Sequence, residues 1–312
     1  MSETLGIVIP CYRSAATIGS VVEGALEACD AAGLPVLVML VDDASPDGDA
    51  TWEAIETLCA AHRGRVRARR LVRNMGQHNA LFCGMQALPP EVGLVVTMDD
   101  DGQHRGEDIP ALVAPLGGKA DLVIGAYGEK RHSGMRNLGG NLVGGLSRHL
   151  FGLPADFHLT SFRAMRRFVA DYAVDGASEF TYLTAALLSA TRRRANVSVR
   201  HEPRREGRSG YTLPRALSLA ANLVFTHSRL PFYVTVASGL ASLLLTAFSL
   251  IYILWLRATP EGVTPDWAIL MLMMGLQSTM LMAALVSILV YVVRSHRLNQ
   301  GARMRWRIAD ER

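Results

Sequence analysis

Lysine is nearly absent from this chain of 312 residues: thirty of its 32 basic side chains are arginine. No site needs thirty guanidinium groups, so that bias reads as a property of composition. Cysteine is sparse too, at four, namely Cys11, Cys29, Cys59 and Cys83. None forms a C-x-x-C pair and none has a histidine at metal-site spacing, which excludes a disulfide scaffold and a zinc module and suits a reducing compartment. No G-x-G-x-x-G follows the first apolar run, and no G-x-x-x-x-G-K-[ST] occurs anywhere. A dinucleotide oxidoreductase and a P-loop nucleotidase are therefore poorly supported. There is no internal repeat and no low-complexity segment. Residues 1–10 lack a basic stretch followed by a long apolar core, so no signal peptide is expected there.

Charge is missing in a second, more informative way. Residues 231–256 and 267–293 contain no Asp, Glu, Lys or Arg. Each run is long enough to cross the ~30 Å hydrocarbon layer of a bilayer as a helix. About ten residues separate them, including Pro260, Gly262 and Pro265, so an antiparallel transmembrane hairpin is expected. Trp255 and Trp267 fall at the linker ends, where aromatic rings favour the interface. Arg294, Arg297, Arg303, Arg305 and Arg307 follow the second run, and Arg215 and Arg229 precede the first. The positive-inside rule then puts residues 1–210 and the basic tail 294–312 in the cytoplasm. The net charge of +4 belongs to that tail. It reports a membrane neighbour and gives no support to nucleic-acid binding. Residues 211–230 repeat apolar side chains near every 3.6 positions (Leu217, Leu219, Ala220, Leu223, Val224), with Arg215, His227 and Arg229 as polar anchors. This predicts an amphipathic interfacial helix. Ser238, Gly239 and Ser242 permit close helix contacts, and so a homo-oligomer.

The first 210 residues alternate apolar runs with helical patterns. Strands are expected at 5–9, 36–41, 66–72, 92–98 and 122–124, and helices at 15–31 (capped by Ser14), 49–62 and 77–88. This repetition predicts an α/β domain with a mostly parallel sheet covered on both faces. In such sheets ligands sit beyond the carboxyl ends of the strands. The polar clusters fall there: residues 11–13, Asp42-Asp43, Arg73-Asn74, and Asp99-Asp100-Asp101. Three adjacent carboxylates repel one another unless a cation is present. A divalent ion with oxygen ligands removes that repulsion and can bridge a diphosphate. Alternating arginines over 63–73 read as a solvated strand face.

The motifs occur in an order that resembles glycosyltransferase family 2, and within it the polyprenyl-phosphate glycosyltransferases. They are 8–12 (VIPCY), 41–48 (VDDASPDG), 73–79 (RNMGQHN), 97–104 (TMDDDGQH) with 107–110 (EDIP), 161–163 (SFR) and 204–211 (RREGRSGY). The resemblance implies a GT-A fold, a nucleotide-diphosphate sugar donor, a Mg2+ or Mn2+ ion and a polyprenyl phosphate acceptor at the bilayer. It implies nucleotide-sugar contacts at Pro10, Tyr12, Asp42, Asp43, Asn74, Gln77, Asp99 and Gln103. Asp99 and Asp101 match the metal acids, with Asp101 the more direct ligand. Arg163, Arg204 and Ser209 match contacts to the diphosphate or lipid phosphate. Asp156, seven residues before Arg163, is the candidate catalytic carboxylate beside Asp101 and Arg204. The chain departs from the family at 102–106 (GQHRG), where two prolines usually follow, and at Ser161, where many members carry an acid. The implied activity is inverting sugar transfer to undecaprenyl or another polyprenyl phosphate at the cytoplasmic face of a bacterial inner membrane. Two rivals differ in kind: a processive polysaccharide synthase, and a non-catalytic membrane scaffold that binds nucleotide. The synthase pattern Q-x-x-R-W is broken here, since Gln300 and Arg303 precede Met304 and lie after the last apolar run.

Overall fold

The computed structural model describes residues 3–127, 138–177, 181–200, 220–221, 223–224, 230–258, 267–301 and 306–312, with the side chains of 138–143, 256–257, 268 and 293–301 outside the description. The chain divides into two compact units: residues 1–219 with 300–312, and residues 220–299.

The first unit is a sheet with helices on both faces. Its strands are β1 (Thr4–Cys11), β2 (Val36–Asp42), β3 (Val66–Leu71), β4 (Val92–Thr97), β5 (Leu122–Tyr127), β6 (Arg163–Arg166), β7 (Arg194–Val199) and β8 (Ile308–Glu311). They lie in the order β7-β5-β6-β4-β1-β2-β3-β8. The pairs β1–β2, β1–β4, β2–β3 and β5–β7 are parallel, while β6 runs antiparallel between β4 and β5. Helices α1 (Ile18–Ala31), α2 (Ala50–Ala61), α3 (Gln77–Ala87), α4 (Ile109–Val113), α5 (Leu138–Phe151), α6 (Arg167–Asp175) and α7 (Leu183–Ala190) complete the unit.

The unbroken apolar runs of β1 and β2 follow from this layering, because a central parallel strand is buried on both faces. Successive side chains alternate between two cores. Ile7, Ile9, Val38 and Leu40 join the core under α1, α2 and α4. Val8, Leu37, Met39 and Val41 join the core under α3, α6 and α7. Gly84 lets α3 sit on β1: a β-carbon there would lie 2.3 Å from Val8 Cγ1.

Three features differ from the sequence expectation. Helix α1 starts at Ile18, not at 15, and the residue at its cap position is Thr17. The Ser14 carbonyl accepts from the Thr17 and Ile18 amides, so residues 14–17 form a turn that precedes the helix. Strand β6 was hidden because its four residues include two arginines, one of them buried. The end of the expected basic tail forms β8, an antiparallel edge strand on β3. It is held by Arg69–Glu311 and Arg312–Glu56 ion pairs at 2.8 and 2.7 Å, and by Trp306, which stacks on Phe82. The arginines of β3 thus face acids as well as solvent.

The second unit contains two long helices, α8 (Leu230–Ala258) and α9 (Trp267–Gly301). Their apolar stretches, Leu230–Trp255 and Ile269–Val292, are each long and apolar enough to cross a membrane. The two helices touch through polar side chains: Gln277 donates to the Thr246 hydroxyl at 2.6 Å, and Ser249 donates to Met273 Sδ at 3.4 Å. Outside the described residues lie most of the expected interfacial helix, including Arg215, His227 and Arg229, and the linker prolines.

Candidate active site

The order β4-β1-β2 at the middle of the sheet brings three strand ends side by side. β1 delivers Tyr12, β2 delivers Asp42 and Asp43, and β4 delivers Asp99, Asp100 and Asp101. Backbone strain collects at the same edge: Arg13, Ala44 and Asp49 take positive φ values of 56°, 53° and 70°. Non-glycine residues rarely adopt this region, and such outliers cluster at functional sites.

The acids from β2 are turned inward. Asp42 is fully buried. Its Oδ1 accepts from the Ser45 amide and hydroxyl at 3.0 and 2.6 Å, and its Oδ2 lies 3.2 Å from Arg70. Arg70 also pairs with Asp49 and lies over the Trp52 ring. Asp43 accepts the Met75 amide at 2.7 Å and the Gly76 amide at 2.8 Å. Burial raises its pKa, opposed by those two amides. Both side chains are therefore spent on loops, and Asn74 and Gln77, which flank the Met75 and Gly76 amides, are exposed. Pro10 is buried inside β1, in register with Val41.

The three acids after β4 have separate surroundings. Asp100 turns toward β1: its Oδ2 accepts the Tyr12 amide at 3.0 Å, and its carbonyl accepts the Thr17 hydroxyl at 2.7 Å. Desolvation raises its pKa to about 6, with the Tyr12 amide opposing. Asp99 accepts from Gln77 Nε2 and from the Ser161 hydroxyl, each at 2.6 Å. Asp101 accepts the Gln103 amide at 3.0 Å across Gly102, whose φ of 74° allows the tight turn. His104 is buried beneath this turn, its Nδ1 2.8 Å from the Asp99 amide. Tyr127 is pushed to a higher pKa by burial and then by the charges of Asp99 and Asp101.

Arg163 was expected at a phosphate. It is 5% exposed, and its guanidinium donates to the Thr160 carbonyl at 2.6 Å and the Thr184 hydroxyl at 2.8 Å. Its position in the antiparallel strand β6, between β4 and β5, turns the side chain into the protein. Asp156 is exposed in the turn after Pro154, whose carbonyl accepts the Phe157 amide. Arg204 and Ser209 lie outside the described residues. Nothing local in the sequence marks the supporting roles of Thr17, Ser161 and His104. Ser161 and His104 stood out only as departures from a pattern, and a hydrogen bond across 62 residues leaves no local signal.

A family model described as "Glycosyl transferase family 2" matches residues 6–172, from β1 into α6. The chain belongs to glycosyl transferase family 2. This glycosyltransferase is 29% identical over 282 residues to the undecaprenyl-phosphate 4-deoxy-4-formamido-L-arabinose transferase of Edwardsiella ictaluri (strain 93-146), covering 88% of this chain and 85% of that protein. It is 28% identical over 283 residues to the enzyme of the same name from Shewanella sediminis (strain HAW-EB3), covering 88% and 84%. Among solved structures it resembles the glucosyl-3-phosphoglycerate synthase of Mycobacterium tuberculosis, with a TM-score of 0.51, 20% identity, and 72% and 79% of the two chains covered. The same synthase in complex with Mn2+, UDP and phosphoglyceric acid aligns with a TM-score of 0.50, 20% identity, and 72% and 77% coverage. At that identity the structural likeness establishes the GT-A-type fold of this glycosyltransferase, while the acids at its strand ends belong to the matched segment.

Proposed function

We propose that the protein transfers a sugar from a nucleotide-diphosphate sugar to undecaprenyl phosphate or a related polyprenyl phosphate, with inversion, at the cytoplasmic face of a bacterial inner membrane. One observation carries this reading. A family 2 glycosyltransferase unit is followed in the same chain by two helices apolar enough to span a bilayer. The relatives named as undecaprenyl-phosphate transferases match 88% of the chain, more than the first unit alone contains. A polyprenol tail does not leave the bilayer, so an enzyme acting on its phosphate must be held there.

The acid turn suits a divalent ion. Asp100 is directed at Tyr12, which leaves Asp99 and Asp101 as the oxygen donors. Among the described residues no group of three His, Cys, Asp or Glu gathers to form an all-protein cage. Mg2+ and Mn2+ fit a partial donor set, because one or two carboxylates combine with substrate phosphates and water. A bound ion would neutralise the charge that develops on the leaving diphosphate. Asp101 is then the principal ligand, and Asp99, whose oxygens also accept from Gln77 and Ser161, is the second. Asp42 and Asp43 shape the nucleotide side by fixing the loops that present Tyr12, Asn74 and Gln77. Gln103 lies beside the donor sugar. Arg204 and Ser209 contact phosphates, and Asp156 orients the acceptor. The acceptor is a phosphate monoester with a second pKa of roughly 6 on the phosphoserine model. It is mostly ionised at pH 7 and needs no strong base.

The deciding experiment incubates the purified protein with undecaprenyl phosphate and a panel of radiolabelled nucleotide sugars, with and without chelator, followed by lipid extraction. One donor should yield a labelled lipid carrying a single sugar, and chelator should prevent it. Label confined to polymer or to water-soluble product would reject the reading in favour of its rivals.

A further inference from the structure

His104 occupies an unusual place beneath the acids. The residue is 5% exposed, and its ring lies nearly flat on Phe162, with centroids 4.7 Å apart and planes 11° apart. Tyr127 stacks at 6.3 Å. Nδ1 is 2.8 Å from the backbone nitrogen of Asp99. An amide can only donate, so Nδ1 holds the lone pair and the ring proton of the neutral imidazole sits on Nε2. The ladder bond before it, from the Met98 amide to the Val8 carbonyl, already spans 3.2 Å as β4 ends. The next amide, that of Asp99, leaves the sheet and meets the imidazole. A buried amide without an acceptor is strongly disfavoured.

We infer that His104 is a positioning residue: its Nδ1 pins the Asp99 amide and so closes the 99–104 turn that aims the Asp99 and Asp101 carboxylates. Phe162 supplies the flat support for the ring, and its neighbour Ser161 holds the Asp99 carboxylate from the other side. One ring thereby couples the end of β4 to the start of β6. The contact stands on geometry alone, whereas its consequence for metal and diphosphate rests on the function proposed above.

Two substitutions separate acceptor from packing in the full-length protein. His104→Asn can place its Oδ1 near the position of Nδ1. His104→Phe keeps a flat ring on Phe162 and has no acceptor. The first measurement is amide hydrogen exchange of the peptide containing Asp99, with no metal or nucleotide present. Loss of one hydrogen bond should speed exchange there about tenfold in the Phe variant and leave the Asn variant within about threefold of wild type, with β1 and β2 peptides unchanged. The second is manganese titration in the presence of whichever nucleoside diphosphate the wild type binds. The half-saturating manganese concentration should rise about tenfold for Phe and be largely restored for Asn. Wild-type exchange in the Phe variant, or equal impairment of both variants, would overturn the assignment. If the Phe variant fails to fold, His104→Gln takes its place, since its amide reaches the Nε2 position and should not protect Asp99. A wild type that binds no manganese with any nucleoside diphosphate counts against the proposed function, and the exchange result still judges the histidine.

Discussion

Gly84→Ala tests how closely α3 is seated on the sheet. The added β-carbon would lie 2.3 Å from Val8 Cγ1 and 3.1 Å from Val41 Cγ2, both on central strands. Carbon pairs rest near 3.5–4.0 Å, so helix and strand must part by more than about 1 Å. Alanine gains about 1 kcal/mol of helix propensity over glycine. Overpacking a close-packed core costs about 1–3 kcal/mol, and a displacement of this size belongs at or above the upper end. The expected net loss is about 2 kcal/mol, which lowers the thermal midpoint by about 4–8 °C in a domain of this size. Gly19, in the first turn of α1, has open space where its β-carbon would stand. Gly19→Ala should accordingly raise stability by about 0.5–1 kcal/mol. Circular dichroism melts of the full chain in detergent compare the two. Moving α3 also moves Gln77, the first residue of the helix and a partner of Asp99. The Gly84 variant should therefore raise the donor KM as well. A midpoint for Gly84→Ala at or above wild type would refute the packing argument.

Asp101→Ala should lower turnover of the purified enzyme at least about 100-fold, the scale of losing a principal charge-stabilising group, whereas Asp156→Ala should slow it by less; lipid-linked product formation measures both. Trp306 is buried against Phe82, so Trp306→Ala should cost about 3–5 kcal/mol and loosen β8, seen as a lower first unfolding midpoint. His78 is half-buried with its Nδ1 sealed from solvent, and desolvation, helped by the Arg163 charge, lowers its pKa from 6.5 to about 4. Below pH 6.5 the unfolded chain takes up a proton that the folded protein refuses, so stability falls as pH drops from 6.5 toward 4. Between pH 7 and pH 5 the wild type should lose about 2 kcal/mol more than His78→Phe, read from denaturant midpoints. Equal losses would reject it.

Much of the fold is written locally. Val36 to Val41 is apolar at every position because both faces of a central parallel strand are covered, and its short length and Val content favour a strand over a helix. The charge-free stretches 231–256 and 267–293 likewise needed only counting. Acids at the ends of β2 and β4 marked the edge of the candidate site, because parallel sheets put their ligand-facing loops there.

Tertiary structure decided what each acid does. Nothing in a run of three aspartates says that the middle one will accept the Tyr12 amide, or that Asp42 will be sealed against Ser45 and Arg70. Those outcomes depend on strand order, which places β1 between β4 and β2. Strand β6 enters antiparallel after a long excursion, carries Ser161 to Asp99 and buries Arg163. Strand β8 returns from beyond the second apolar helix to pair with β3. Hydrophobic period is a property of neighbours in sequence, and it survives in a one-dimensional reading. Hydrogen-bond partners separated by 62 to 242 residues are properties of the closed sheet.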